Sequence, residues 1–156
     1  MTIGNMWKLP LSDQPGSYIL VLYLPKSKKI VVGKWGLIKF PSGYYLYVGS
    51  AGGPGGLRSR LNRHLTSQGK KYWHIDYLKT YCKPYAVIYQ AGKKSRECAW
   101  SKIFSEHDKF LVPCPGFGAS DCKCRSHLFY TEKHRDLQQS ITGFLKSCSE
   151  CCLHKL

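Results

Sequence analysis

Two short apolar runs constrain the fold of this chain most. Residues 18–24 (YILVLYL) and 44–48 (YYLYV) are dense in aromatic and aliphatic side chains and bounded by turn formers, so both read as strands. The second is apolar on both faces, which predicts a central strand covered on both sides. The first runs through the polar turn 25–29 (PKSKK) into Ile30, Val31 and Val32, a pattern that predicts a hairpin. Leu57, Leu61 and Leu65 then recur at helical spacing in a helix starting near Leu57. Residues 73–81 predict a short helix, 85–89 (YAVIY) a strand, and 95–110 a longer helix with Ser95 as its cap. Residues 113–126 are rich in Pro, Gly and Cys and read as irregular, and 127–130 as a strand. Leu137, Ile141, Phe144 and Leu145 form the stripe of a last helix, and a Cys-rich tail follows. Strands therefore precede helices. With no repeat, linker or break in composition, residues 1–156 read as one domain.

Charge narrows the partner. The chain holds 24 Lys and Arg against 9 Asp and Glu, a net +15, yet 43% of its residues are hydrophobic, enough for a core and against disorder. A folded surface with that surplus repels itself and suits a polyanion, nucleic acid first; solubility or adhesion to acidic lipid are the plainer alternatives. Residues 1–12 show no basic stretch leading into an apolar run, so the expected location is cytoplasmic, without a membrane partner. At this size, eight cysteines without an export signal point to thiols or metal ligands rather than a secreted disulfide scaffold.

The scarcity of acids restricts the chemistry. Asp13, Glu106, Asp108, Glu132, Asp136 and Glu150 lie in polar contexts, leaving Asp76, Glu97 and Asp121 in apolar or cysteine-rich ones. A cluster of three carboxylates for two metal ions is not expected, so phosphodiester chemistry would lean on one carboxylate and one Mg²⁺. Glu97 is the best candidate. At 100° per residue it lies beside Trp100 and Phe104, at the edge of a stripe with Ala99 and Ile103; an acid that merely complements the helix dipole is the alternative. Arg60 and His64 share one face of the preceding helix, away from Arg58 and Arg63, and a guanidinium fork suits phosphate. They equally suit an ordinary basic surface. The loop at 52–56 (GGPGG) lacks the Lys-Ser/Thr ending of a P-loop.

In order, Gly16-Ser17-Tyr18, Tyr47-Val48-Gly49, Arg60, His64 and Glu97 form a pattern that resembles the GIY-YIG nuclease superfamily. The string from Gly43 to Leu65, then YWHIDYL, REC at 96–98 and GFGASDCKCRSHLFY, is similar to its Uri-type prokaryotic branch, a likeness covering about 16–130 and leaving 131–156 as a helix and Cys-rich tail. The resemblance implies an α+β fold, a small antiparallel sheet of about three strands flanked by helices, with an irregular Cys-rich C-terminal extension. It implies a DNA endonuclease using Mg²⁺ or Mn²⁺. Tyr18 and Tyr47 would orient or deprotonate the attacking water, Arg60 hold the scissile phosphate, His64 assist and Glu97 bind the metal. Ser17 and Val48 depart from the usual tripeptides without changing a reacting group, and the loop at 52–56 leaves the substrate's route open.

Further contacts to nucleic acid are expected from Gly49, Ser50, Arg58, Arg63 and His74. His74 and Asp76 have hydrogen-bonding structural roles as their plainer reading. Cys114, Cys122, Cys124 and His127 offer a structural Zn²⁺ site, with a disulfide between Cys-rich loops or free thiols as alternatives, and Asp121 and His127 could instead border the cleft. Cys148, Cys151, Cys152 and His154 add soft ligands in the tail. With little surface for reading many base pairs, branched, single-stranded or damaged DNA is the expected substrate. A binding module with lapsed nuclease activity, or an RNA-directed nuclease, is the alternative; the sequence does not set the oligomeric state.

Overall fold

A computed structural model of the chain describes residues 12–66 and 69–156; all but the last residue of the stretch read for export signals lies outside them. In chain order the elements are β1 (Gly16–Leu24), β2 (Lys28–Val31), a 3-10 turn (Gly33–Trp35), β3 (Leu37–Phe40), β4 (Gly43–Ala51), α1 (Gly56–Thr66), α2 (His74–Lys79), β5 (Lys83–Ala91), α3 (Glu97–Ser105), β6 (Leu128–Thr131), α4 (His134–Ser147) and β7 (Cys152–Lys155). The fold is α+β. Five strands form an antiparallel sheet in the order β6-β4-β1-β5-β7.

The doubly apolar runs become its interior. On β1, Tyr18, Leu20, Leu22 and Leu24 pack into one cluster with Leu57 and Leu61 of α1 and Ile75 and Leu78 of α2. Ile19 and Val21 pack on the opposite face with Trp100 and Phe104 of α3 and Leu137, Ile141 and Phe144 of α4. Successive side chains of a strand point to opposite faces, so a strand buried on both sides must be apolar throughout. Each fully buried Leu or Phe contributes about 1.5–3 kcal/mol, and this two-sided core holds the sheet rigid beneath the site.

Several expectations are corrected. The sheet has five strands rather than about three, because β6 and β7 extend it at its two edges. β1 does not pair with the segment at 30–32; its partners are β4 and β5, while β2 pairs with β3 in a separate hairpin. Strands do not all precede helices, since β5, β6 and β7 follow α1. The tail is not irregular: β7 is an edge strand on β5, mostly exposed, held by backbone pairing without an apolar face to betray it. α3 ends at Ser105 rather than Phe110, as a polar turn at His107 brings Phe110 back against Phe104, ring centres 5.4 Å apart. Ala99 and Ile103 of that helix are exposed, so its buried face is Trp100, Ser101 and Phe104. Among the described residues no helix is long and apolar enough to cross a membrane.

Candidate active site

Strand register builds the floor of the site. Tyr18 of β1 lies opposite Gly49 of β4, and Tyr47 lies opposite Leu20, so both tyrosines share the face covered by α1. The Tyr18 ring occupies the space a side chain at Gly49 would need, which gives that glycine a steric reason. Gly118, at a left-handed φ of +69°, closes over Tyr47, whose Cε2 would stand 2.9 Å from an added Cβ. A cleft of about 200 Å³ results, lined by Tyr18, Tyr47, Arg60, His74, Glu97 and Asp121.

α1 supplies the cationic and imidazole groups. Its first N–H groups are not aimed at a ligand, because Leu57 N–H and Arg58 N–H donate to the carbonyls of Gln14 and Ser12 at 2.9 and 3.2 Å. One turn on, Arg60 stacks over Trp73, 4.4 Å from the ring centre. His64 is buried, with its Nε2 2.7 Å from the Tyr18 hydroxyl. Burial, reinforced by the Lys79 charge, lowers the His64 pKa to about 3, so the ring is neutral. Its Nδ1 is buried with no hydrogen-bond partner among the described residues. An orphaned lone pair costs less than an orphaned N–H, so the favoured tautomer carries its hydrogen on Nε2 and donates to Tyr18. The phenol is then free to donate into the cleft. Burial, and after it the neighbouring Tyr47, raises the Tyr18 pKa well above the ordinary phenol value; burial, then Glu97, does the same for Tyr47.

Glu97, the first residue of α3, faces the cleft with its side chain 24% exposed. Its Oε2 accepts a 3.0 Å hydrogen bond from the Ser50 hydroxyl. Its Oε1 lies 3.0 Å from His127 Nδ1, close enough for an ion pair though off the axis of a hydrogen bond. The helix starts at Glu97, with Arg96 rather than the expected Ser95 at its N-cap and no side-chain cap; Ser95, one residue further out, only accepts from the Glu97 N–H at 3.3 Å. Asp121 is exposed on the same cleft.

The remaining predicted contacts separate. Ser50 and His74 border the cleft; His74 Nδ1 accepts from Gly118 N–H at 3.0 Å, and its ring stacks on Trp35 at 4.0 Å. Arg58 is exposed beside Asp13 at 3.0 Å. Arg63 is committed elsewhere: its two terminal nitrogens donate to Asp76 at 3.2 and 2.9 Å. A larger cavity of about 590 Å³ is lined by Arg63, His64, Lys70, Lys71, Asp76 and Lys79. Asp76, its carboxylate, has its lone pairs taken by Arg63, Lys79 and the N–H groups of Tyr72 and Trp73, so the cavity's size does not make it a reaction centre.

Next to Glu97 lies a cluster able to hold a metal ion. Ligand atoms of Cys98, Cys122, Cys124 and His127 all fall within 4.8 Å of one another, with Cys122 Sγ 3.4 Å from His127 Nε2. Cys114 is not among them, because it packs against the core beneath the α1 face. Cys98 takes its place, a candidate ligand missed because it comes from α3, 24 positions before Cys122; its signal was its position beside Glu97 in the REC run at 96–98. Cys148 and Cys151 form a disulfide within the tail rather than between two loops.

Comparison with known proteins yields one family: residues 17–150 match the domain of unknown function DUF123. That match spans most of the chain, which belongs to the DUF123 family. No curated protein and no solved structure matches it.

Proposed function

We propose that this DUF123 chain is a metal-dependent endonuclease that hydrolyses DNA phosphodiester bonds, selecting branched, unpaired or damaged DNA over a long sequence. The observation carrying this reading is the meeting of Glu97, Arg60, Tyr47 and the Tyr18–His64 pair on one cleft, from four separate elements. It adds to the GIY-YIG likeness of the same residues. Glu97 suits a Mg²⁺ or Mn²⁺ ion, which keeps several waters and asks for one or two carboxylate oxygens at an open cleft. Once bound, such an ion supplies charge neutralisation at a phosphate oxygen.

The chain's own groups do the rest. Arg60 holds a phosphate oxygen and, with its planar fork, the charge that grows there as the bond breaks. Burial keeps both phenols protonated, which favours orienting the attacking water over deprotonating it. Tyr18, anchored by His64, presents its O–H for that purpose. Tyr72, 68% exposed at the cleft, offers a ring on which an unpaired base can stack. The neighbouring Cys₃His cluster suits Zn²⁺, which takes four ligands from sulfur and nitrogen. Its cysteines ligate a metal only as reduced thiolates.

Labelled duplex, forked and single-stranded DNA, with RNA as a further arm, incubated with Mg²⁺ or with EDTA, tests the proposal. Mg²⁺-dependent cutting of forked or single-stranded DNA is expected. Cutting of RNA alone would reassign the substrate, and binding without cutting would make the chain a binding module.

A further inference from the structure

We infer that the cysteine cluster is coupled to the cleft, with His127 acting as a positioning residue: its Nε2 ligates the clustered metal while its Nδ1 holds the Glu97 carboxylate. This rests on the metal-site reading above, though not on cleavage. His127 is buried, and its two ring nitrogens face two different sites. Nε2 lies 3.4 Å from Cys122 Sγ, inside the cluster, and Nδ1 lies 3.0 Å from Glu97 Oε1, at the cleft. A neutral imidazole that ligates through one nitrogen carries its hydrogen on the other. Metal at Nε2 therefore leaves the hydrogen on Nδ1, 3.0 Å from Glu97 Oε1, where a small turn of ring or carboxylate brings the pair onto a hydrogen-bond axis.

A second link runs through the backbone. Glu97 and Cys98 are neighbours in the first turn of α3, one lining the cleft and the other the cluster. A metal bond to Cys98 thus pins the turn that carries Glu97, while Ser50 holds the other oxygen at 3.0 Å. The carboxylate is thus held at Oε2 by a hydrogen bond and faced at Oε1 by the imidazole. The cluster therefore does more than staple the irregular loop at 113–126: it sets where the cleft's carboxylate stands.

Coupling of this kind is reciprocal, so it can be read at the cluster without nucleic acid. Co²⁺ titrated into the reduced full chain, with Cys148→Ser and Cys151→Ser in every sample so that reduction frees no paired tail thiols, reports on the cluster through its thiolate absorption, and competition with a chelator gives the affinity. Wild type is expected to bind one Co²⁺ per chain. Glu97→Ala should weaken that binding by about 10–100-fold, the usual loss when a ligating histidine's outer partner is removed. Glu97→Gln, whose amide oxygen still accepts from Nδ1, should recover most of the loss. Ser50→Ala, which spares the His127 contact, should stay within about twofold of wild type. An unchanged affinity in Glu97→Ala with one ion still bound would overturn the coupling and leave the metal site standing. Absence of thiolate-bound Co²⁺ in wild type would overturn both. Failure to cut DNA touches neither, since no DNA enters this titration.

Discussion

Asp76 and Glu97 each share a wall with an arginine of α1, Asp76 with Arg63 and Glu97 with Arg60, yet their surroundings differ in kind. The Asp76 side chain is 3% exposed and accepts from the Arg63 fork, Lys79 and two backbone N–H groups. Although burial opposes it, those hydrogen bonds hold its carboxyl far below the usual range. Glu97 is 24% exposed, touches Ser50 and His127, and otherwise looks into the cleft. A carboxylate whose lone pairs are saturated is structural; one held by its edges and open to solvent can take a ligand. Position on the same basic helix does not decide which arginine borders the open cleft, but the partner it meets does.

The sharpest way to break this contrast is Asp76→Ala. It strands Arg63, Lys79 and two N–H groups, and should cost about 3–5 kcal/mol in urea unfolding. A loss below about 1 kcal/mol would mean that Asp76 is no more structural than Glu97.

Arg60→Ala should leave folding nearly unchanged and slow single-turnover cleavage about a hundredfold, roughly 3 kcal/mol in the chemical step. Arg60→Lys, which keeps the charge and loses the fork, should also be severely slowed. Arg58→Ala, on another face of α1, should shift affinity alone; equal rates for both alanine variants once bound would reduce Arg60 to part of a basic surface.

pH separates the two regions more gently. The depressed Asp76 carboxyl contributes stability present above its unfolded pKa of about 3.9 and lost as pH falls toward its folded value, so Asp76→Asn should flatten the stability curve below about pH 4. His64, whose pKa falls from 6.5 to about 3 on burial, is destabilising when protonated; stability should decline as pH drops from 6.5 toward 3. Its slope is at most about 1.4 kcal/mol per pH unit. His64→Gln should remove that slope, and equal slopes in wild type and variant would contradict a buried neutral ring.

Much of the fold was legible where burial is two-sided. β1, β4 and β5 follow from unbroken apolar runs, and the α1 and α4 stripes from leucine and phenylalanine spacing. What stayed hidden is set by long-range pairing: β7 has no apolar face, and β2 pairs with β3 rather than β1 for reasons of sheet register that no local pattern carries. At the site, the order of Tyr18, Tyr47, Arg60, His64 and Glu97 was readable, and all five meet at or beside one cleft. The division between Arg60 and Arg63 was not, since it depends on which of them Asp76 captures. Nor was Cys98, because a ligand set drawn from a helix and a distant loop has no spacing rule.

Single-turnover cleavage and equilibrium binding of one forked DNA by wild type and by Glu97→Gln, with Mg²⁺ and with EDTA, test the central claim most directly. The account predicts that wild type cuts only with Mg²⁺, whereas Glu97→Gln binds the DNA nearly as tightly and does not cut it. Full Mg²⁺-dependent cleavage by Glu97→Gln would contradict the assignment of this carboxylate to the metal and to the reaction.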